Sequence, residues 1–360
     1  MSRSLKEKLK DRLDDWVIRS IGLIDATKCV VVADWDPADE KKRYPLDKDK
    51  KNKFWTTIVS IDMHNSKVWW KVIHGGLGLC HLDGGVIDGK QYACIVEDWG
   101  RSFFIDYDKH TFEFEGTLNT VISNIRLIEE HFYVGAAASE VWRREAPGSW
   151  RLISERLHKR CMEQRLVGDA TEVNGFSEED LYFCSDAGEL WHFDGKEWTQ
   201  MDIPVNFPLD YLVCAEDGYV YTAWKTGRLI RGRGERWEEL VDADAVDEAP
   251  MLLSMTFYQG SLYAGTGSGI VKYENGKWVK TAIGEVHRAN ILIGRGNLML
   301  MATPYSLYLY DGEKTKVIYG SKPDAIDAGF VVNGIFSSAL DPLESGHKLL
   351  NELDKGKKTK

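Results

Sequence analysis

One short unit recurs along this chain, and its recurrence limits the fold more than any other feature. Residues 181–198, LYFCSDAGELWHFDGKEW, read as three short strands separated by a turn at Asp186-Ala187-Gly188 and a tight Asp194-Gly195 turn. Asp-Gly between alternating apolar runs is the strongest short-range hairpin signal, because both turn positions favour positive φ. The unit returns as FYVGAAASEVWRREAPGSW (132–150), VYTAWKTGRLIRGRGERW (220–237) and LYAGTGSGIVKYENGKW (262–278), with looser copies at 92–112 and 298–317. From strand tyrosine to closing tryptophan the spacing is 17 residues for Tyr133–Trp150, 16 for Tyr182–Trp198 and Tyr221–Trp237, and 15 for Tyr263–Trp278. The tyrosines step from 92 to 133, 182, 221 and 263, a period of 39 to 49 residues.

A period of about 40–50 residues built from short strands is that of a β-propeller blade. One four-stranded copy cannot bury both its faces alone, so it stacks on its neighbours around a ring. A first copy, IGLIDATKCVVVADWD resumed at FWTTIVSIDMHNSKVWWKVI, and a last one centred on Met299 bring the count to seven. Six or eight blades remain compatible with so degenerate a repeat. The fold class is therefore all-β, a β-propeller of seven four-stranded blades over residues 21–340, with short N- and C-terminal helices.

Residues 1–20 form the N-terminal amphipathic helix of this reading, with Leu5, Leu9, Leu13 and Trp16 at helical spacing and Ser4 as N-cap. The polar insert 37–53 inside blade 1 reads as a solvated loop. Segment 328–340, AGFVVNGIFSSAL, is a candidate strand for closing the ring, which removes exposed sheet edges. Residues 341–360 read as a C-terminal helix ending in a basic tail.

The chain's 360 residues exceed what one ordinary core organises, and a ring of blades distributes them. Its 46 Lys and Arg against 56 Asp and Glu give a net charge of −10. That balance argues against nucleic acid or an anionic membrane as direct partner and favours a basic protein. Six scattered cysteines without a C-x-x-C pair suit reduced core thiols. The sequence shows no 18-residue apolar run and no signal-peptide core, so the expected location is the cytoplasm.

Motifs for catalysis are missing. There is no G-x-S-x-G elbow, P-loop, or G-x-G-x-x-G after a strand, and Gly265-Thr266-Gly267-Ser268-Gly269 falls on a turn within a blade. The nine histidines are dispersed without an H-E-x-x-H, and no calcium loop occurs. His74 and His81 flank a Gly-rich connection that could face a central channel, and a satisfied loop histidine is the competing reading. Ser185-Asp186-Ala187-Gly188 is loosely like a sialidase Asp-box but is not repeated in the other blades. Paired carboxylates such as Glu97-Asp98 and Glu178-Glu179 carry no catalytic assignment without geometry. No catalytic residue, cofactor or metal is assigned.

Propeller function sits on one face, made by the loops between the second and third strands of each blade and by the connections between blades. Read in register, those loops hold Trp35 and Asp36, then Glu97, Asp98 and Trp99, then Trp224, then Tyr305. The connection 241–250 adds Asp242, Asp244, Asp247 and Glu248. Aromatics at turns suit interface anchors, and rim carboxylates steer a basic partner. The competing reading has Trp35, Trp99 and Trp224 folding over neighbouring blades and the acidic loop serving solubility.

The pattern of strand, turn, strand, Asp-Gly or Asn-Gly, Trp over about residues 20–320 resembles that of bacterial β-propellers of the kelch-like and sensor-propeller kinds. It is specific for architecture and nearly silent on activity. In general character the chain is similar to stand-alone immunity partners of bacterial secreted toxins, the type VI secretion kind among them. That resemblance implies a non-enzymatic immunity protein, monomeric or in a 1:1 heterodimer, that occludes a toxin's active site. The alternatives are a propeller hydrolase or lyase with its site in the central channel, and a scaffold subunit of a larger complex.

Overall fold

The computed structural model describes residues 3–35, 55–74, 76–164, 168–241 and 251–320. Among them the chain folds into seven antiparallel sheets of four consecutive strands each, the blades of a β-propeller. The blades span 16–74, 80–117, 122–152, 170–200, 211–241, 252–281 and 291–320. Lettering the strands a to d in chain order, strand a of each blade packs against strand a of the next, so these strands surround the centre. They are Trp16–Leu23, Cys80–Ile87, Ile122–Ile128, Ala170–Ser177, Tyr211–Cys214, Leu252–Tyr258 and Ile291–Arg295.

The repeated residues hold each blade together. On strand b the tyrosine pairs in register with a polar residue on strand c: Tyr92 with Asp106, Tyr133 with Arg143, Tyr182 with His192, Tyr221 with Arg231 and Tyr263 with Lys272. Such cross-strand pairs place an aromatic ring beside a polar side chain on the same face of the blade. The Tyr182 and His192 rings stack at 4.5 Å, and burial pushes the Tyr182 hydroxyl up to about 12. The closing tryptophans tie the outermost strand to what precedes it. Trp198 donates to the Ile153 carbonyl at 3.3 Å, and Trp278 donates to the Gly227 carbonyl of the previous blade at 2.8 Å.

Between blades the core is apolar. Val213, Tyr221 and Leu229 of blade 5 share one cluster with Met255, Leu262 and Ala264 of blade 6. Innermost strands of neighbouring blades do not pair by a ladder, so side chains satisfy amides that would otherwise lie buried and unpaired. Asp83 accepts from the Leu127 amide at 2.8 Å, Glu172 from the Leu212 amide at 2.8 Å, and Thr256 from the Gly294 amide at 2.9 Å. Asn124 accepts from the Val173 amide and donates to the Val173 carbonyl.

The ring closes where blade 7 meets blade 1. Leu300, Leu307 and Ile318 share a cluster there with Ile18, Val31 and Val59, and Leu9 and Leu13 of helix α1 (Leu5–Leu13) join it. The Arg295 guanidinium donates to the Leu23 and Gly84 carbonyls and to Asp83, so one side chain joins blade 7 to blades 1 and 2. Each blade is complete from its own four strands. The segments 328–340 and 341–360, read as a closing strand and a terminal helix, and the insert 37–53 lie outside the described residues.

Helix α1 opens on the capping box at Ser4, whose hydroxyl accepts from the Glu7 amide while Glu7 accepts from the Ser4 amide. It ends at Leu13, a turn short of the helical spacing read through Trp16. Asp14 is extended, Asp15 has φ of 68°, and Trp16-Val17-Ile18 pairs with Ala33-Asp34-Trp35 on strand b. A β-branched run next to a waiting edge takes the ladder over another helical turn. A second helix, α2 (Glu155–Gln164), not read from the sequence, lies between blades 3 and 4. It buries Leu157 and Cys161, four residues apart, beside Tyr133 and Phe183. All six cysteines are unpaired thiols, five of them buried. No helix among the described residues is long and apolar enough to cross a membrane.

Candidate functional site

The strand b to strand c loops and the inter-blade connections share one end of the blades, and hydrogen bonds link them into a belt. An amide at the start of one blade donates to a loop carbonyl of the blade before it. These bonds run from Ile122 to Asp98 at 2.8 Å, Leu209 to Ser185 at 3.0 Å, Leu252 to Lys225 at 2.7 Å and Ala289 to Thr266 at 3.1 Å. Ile18 to Pro304, at 2.7 Å, repeats the bond across the closing seam. Side chains extend it: the Ala138 amide donates to Asp169, the Asp169 amide to Asp186, and the Lys225 amide to Asp210. A surface fixed this way loses little conformational entropy when something binds to it.

Trp99 stands out of this belt. It is 66% exposed, the most exposed large hydrophobic side chain among the described residues. The turn that presents it is tight: Gly100 has φ of +86°, and a Cβ there would sit 1.8 Å from the Leu118 carbonyl oxygen. Val121, Met162 on α2 and Met251 are also exposed, all on connections of this face. Trp70, Phe114 and Val317, on outermost strands, and Val86 and Tyr219, near the opposite end, are the other large apolar side chains this open among the described residues.

The residues read from the sequence take different positions. Glu97 is 2% exposed; it accepts from Arg101, with Nη2 at 2.6 Å, and from the Gly78 amide at 3.1 Å. Asp98, half-buried, lies 3.2 Å from His81 Nε2. One loop thus gathers Glu97, Asp98 and Trp99 with His81 and Arg101. Trp35, on blade 1, is half-buried, its ring edge-on to Trp16 at 5.1 Å and tilted against Trp55 at 6.0 Å. Trp224, on blade 5, is half-buried and stacked on Phe207 at 6.2 Å. Tyr305, on blade 7, is half-buried, its amide donating to Thr303. Asp36, Asp242, Asp244, Asp247 and Glu248, and the side chain of His74, lie outside those described.

Sequence reading did not single out Val121, Met162 or Met251, since an isolated apolar residue in a loop carries no signal of its own. Nor did it single out the carboxylates Asp34, Asp169 and Asp210 of this face. Burial raises the Asp34 carboxyl against its bonds from Thr56 and Arg19, and it raises Asp186 and Asp210 as well. For Asp186 the Asp169 carboxylate adds to that rise. A cation placed over these groups would relieve the cost of their charge.

Channel-lining chemistry is engaged in holding blades together. Glu172 accepts from Arg126 and from the Leu212 amide, and burial raises it against the pull of that arginine. Burial disfavours the charge of Arg126, yet the Glu172 and Asp83 carboxylates hold its pKa up. Asp83 accepts from two backbone amides and from Arg295. The Arg126–Glu172 and Arg295–Asp83 pairs each join two blades.

No family model matches the chain. A stretch of 177 residues is 28% identical to the "Immune protein Tsi7" of Pseudomonas aeruginosa, covering 49% of this chain and 56% of that protein. The match thus spans about half the length of the relative. Among solved structures, Saccharomyces cerevisiae Sqt1 superposes with a TM-score of 0.56 at 13% identity, over 87% of this chain and 88% of that one. The Cps50 (Swd1) β-propeller domain of Myceliophteria thermophila gives 0.53 at 10% identity, over 80% and 96%. At such identities these structures share the fold alone.

Proposed function

We propose that this propeller is a non-enzymatic immunity protein that neutralises a bacterial secreted toxin by laying its loop face over the toxin's active site. The observation that carries the reading is the 28% identity to an immune protein over 177 residues. The hydrogen-bonded belt and the exposed Trp99, Val121, Met162 and Met251 support it, because a fixed surface with a large aromatic anchor is what tight protein recognition uses. The partner is basic, bound 1:1 in the cytoplasm, and meets the carboxylates of this face together with Asp36 and the acidic 242–248 segment. Trp35, Asp98, Trp99, Trp224 and Tyr305 belong to the contact surface, with Glu97 beneath them.

The test is co-expression with the toxin domain of any secreted effector found encoded next to this chain, read by growth and by the mass of the purified complex. The expected result is protection and a 1:1 complex. Trp99→Ala should weaken the complex roughly 10- to 30-fold, the loss typical of an interface anchor, with an unchanged melting temperature. A toxin that neither binds the chain nor is silenced by it would sink the reading.

A further inference from the structure

A groove of about 720 Å³ opens between α1, the outer part of blade 1 and the rim of blade 2. It lies at the other end of the strands from the loop face, beside the turns 24–27 and 63–66. Five Lys and Arg line it against three Asp, which gives 5 − 3 = +2 on a chain whose net charge is −10. The excess is local. Lys28, Asp62 and Lys67 sit side by side across strands b, c and d, paired in register, and Lys8 of α1 reaches over to the Ser66 carbonyl at 2.7 Å. The Lys28 ammonium donates to the Gln91 side-chain oxygen at 2.6 Å, and Asp62 already accepts two bonds from Asn65.

Ser60, only 5% exposed, lines the groove with its hydroxyl buried against that of Tyr107, whose proton goes to the Cys29 carbonyl. Trp70 is 41% exposed and carries the Arg12 guanidinium over its ring at 3.5 Å, a flat cationic shelf at the groove wall. Clustered ammoniums act as point charges that suit an oxygen-rich phosphate.

From this geometry we infer that the groove is a binding site for a small phosphate-bearing anion. Its phosphate oxygens lie among Lys8, Lys28 and Lys67, and any planar group rests against the Arg12–Trp70 stack. The site is independent of what the loop face binds. Because α1 forms one wall and also packs into the closing seam, an occupant stabilises the ring itself.

The test is titration calorimetry of the full chain with inorganic pyrophosphate and separately with ATP, alongside thermal melts at rising ligand concentration. Saturable 1:1 binding is expected, with a melting temperature that climbs with ligand. Lys67→Glu should weaken pyrophosphate at least about tenfold by reversing a charge in the row. Lys67→Gln, which keeps the exposed stem, should give an intermediate loss and guards against a folding defect in the reversal. Trp70→Ala should weaken ATP more than pyrophosphate. Failure of both ligands to bind at millimolar concentration, or binding undiminished in both Lys67 variants, overturns the inference.

Discussion

At the scale of single residues, charges in this protein divide into those that hold structure and those left for contact. Glu97 is the clearest of the first kind, fully enclosed with Arg101 and the Gly78 amide on its oxygens. Glu97→Ala strips both donors of their acceptor and should cost about 2 kcal/mol in urea denaturation. A loss of only a few tenths would mean water replaces the carboxylate. Glu145 offers a pH test. Its bonds from Arg143, and then from Arg151, hold its carboxyl down to about 2 against burial, from an ordinary value of 4.5. A depressed carboxyl contributes stability that is complete above the unfolded value and lost as pH falls toward the folded one. Glu145→Gln should therefore lower stability at neutral pH by about 1 kcal/mol or less, solvent screening limiting this partly exposed pair. Melts should show the difference from wild type shrinking below pH 4.5 and gone near pH 2.

At the scale of elements, hairpins were the most legible part of the sequence, because Asp-Gly and Asn-Gly turns with a closing tryptophan fix strand order locally. The helices were less so. Alternation and helical spacing overlap at Trp16, and only the neighbouring strand decides between them. Helix α2 buries just Leu157 and Cys161 and leaves its third apolar residue, Met162, exposed, so its pattern is thin. Loop aromatics could be placed on the face but not oriented, for a ring folds back only where a neighbour receives it. Phe207 receives Trp224 and the Trp16–Trp55 pair receives Trp35, while the turn at Gly100 turns Trp99 outward. The capping box of α1 makes its own prediction. Ser4→Ala should cost about 1 kcal/mol and speed amide exchange in α1 while sparing blades 3 to 5. Uniform acceleration through all blades would show that α1 and the ring open only together.

At the scale of the whole molecule, the seam between blades 7 and 1 combines an apolar cluster, the Arg295 clamp and the same amide-to-carbonyl bond that joins other blades. Arg295→Met should lower stability by about 3 kcal/mol, since it leaves Asp83 and two buried carbonyls short of a donor. Exchange should rise first in strands a of blades 1 and 7. Among the described residues no strand is shared between the two ends of this ring, and the Tyr319 hydroxyl touches Asp14. The order of the blades is therefore cyclic, and the break in it is arbitrary. A permuted chain running 205–360, a short linker, then 1–204 should fold to the same far-ultraviolet spectrum, its new ends lying in the connection between blades 4 and 5 beside the exposed Pro204. Chain order and ring order are separable here, so a blade's neighbours, rather than its distance from either terminus, govern how firmly it is held.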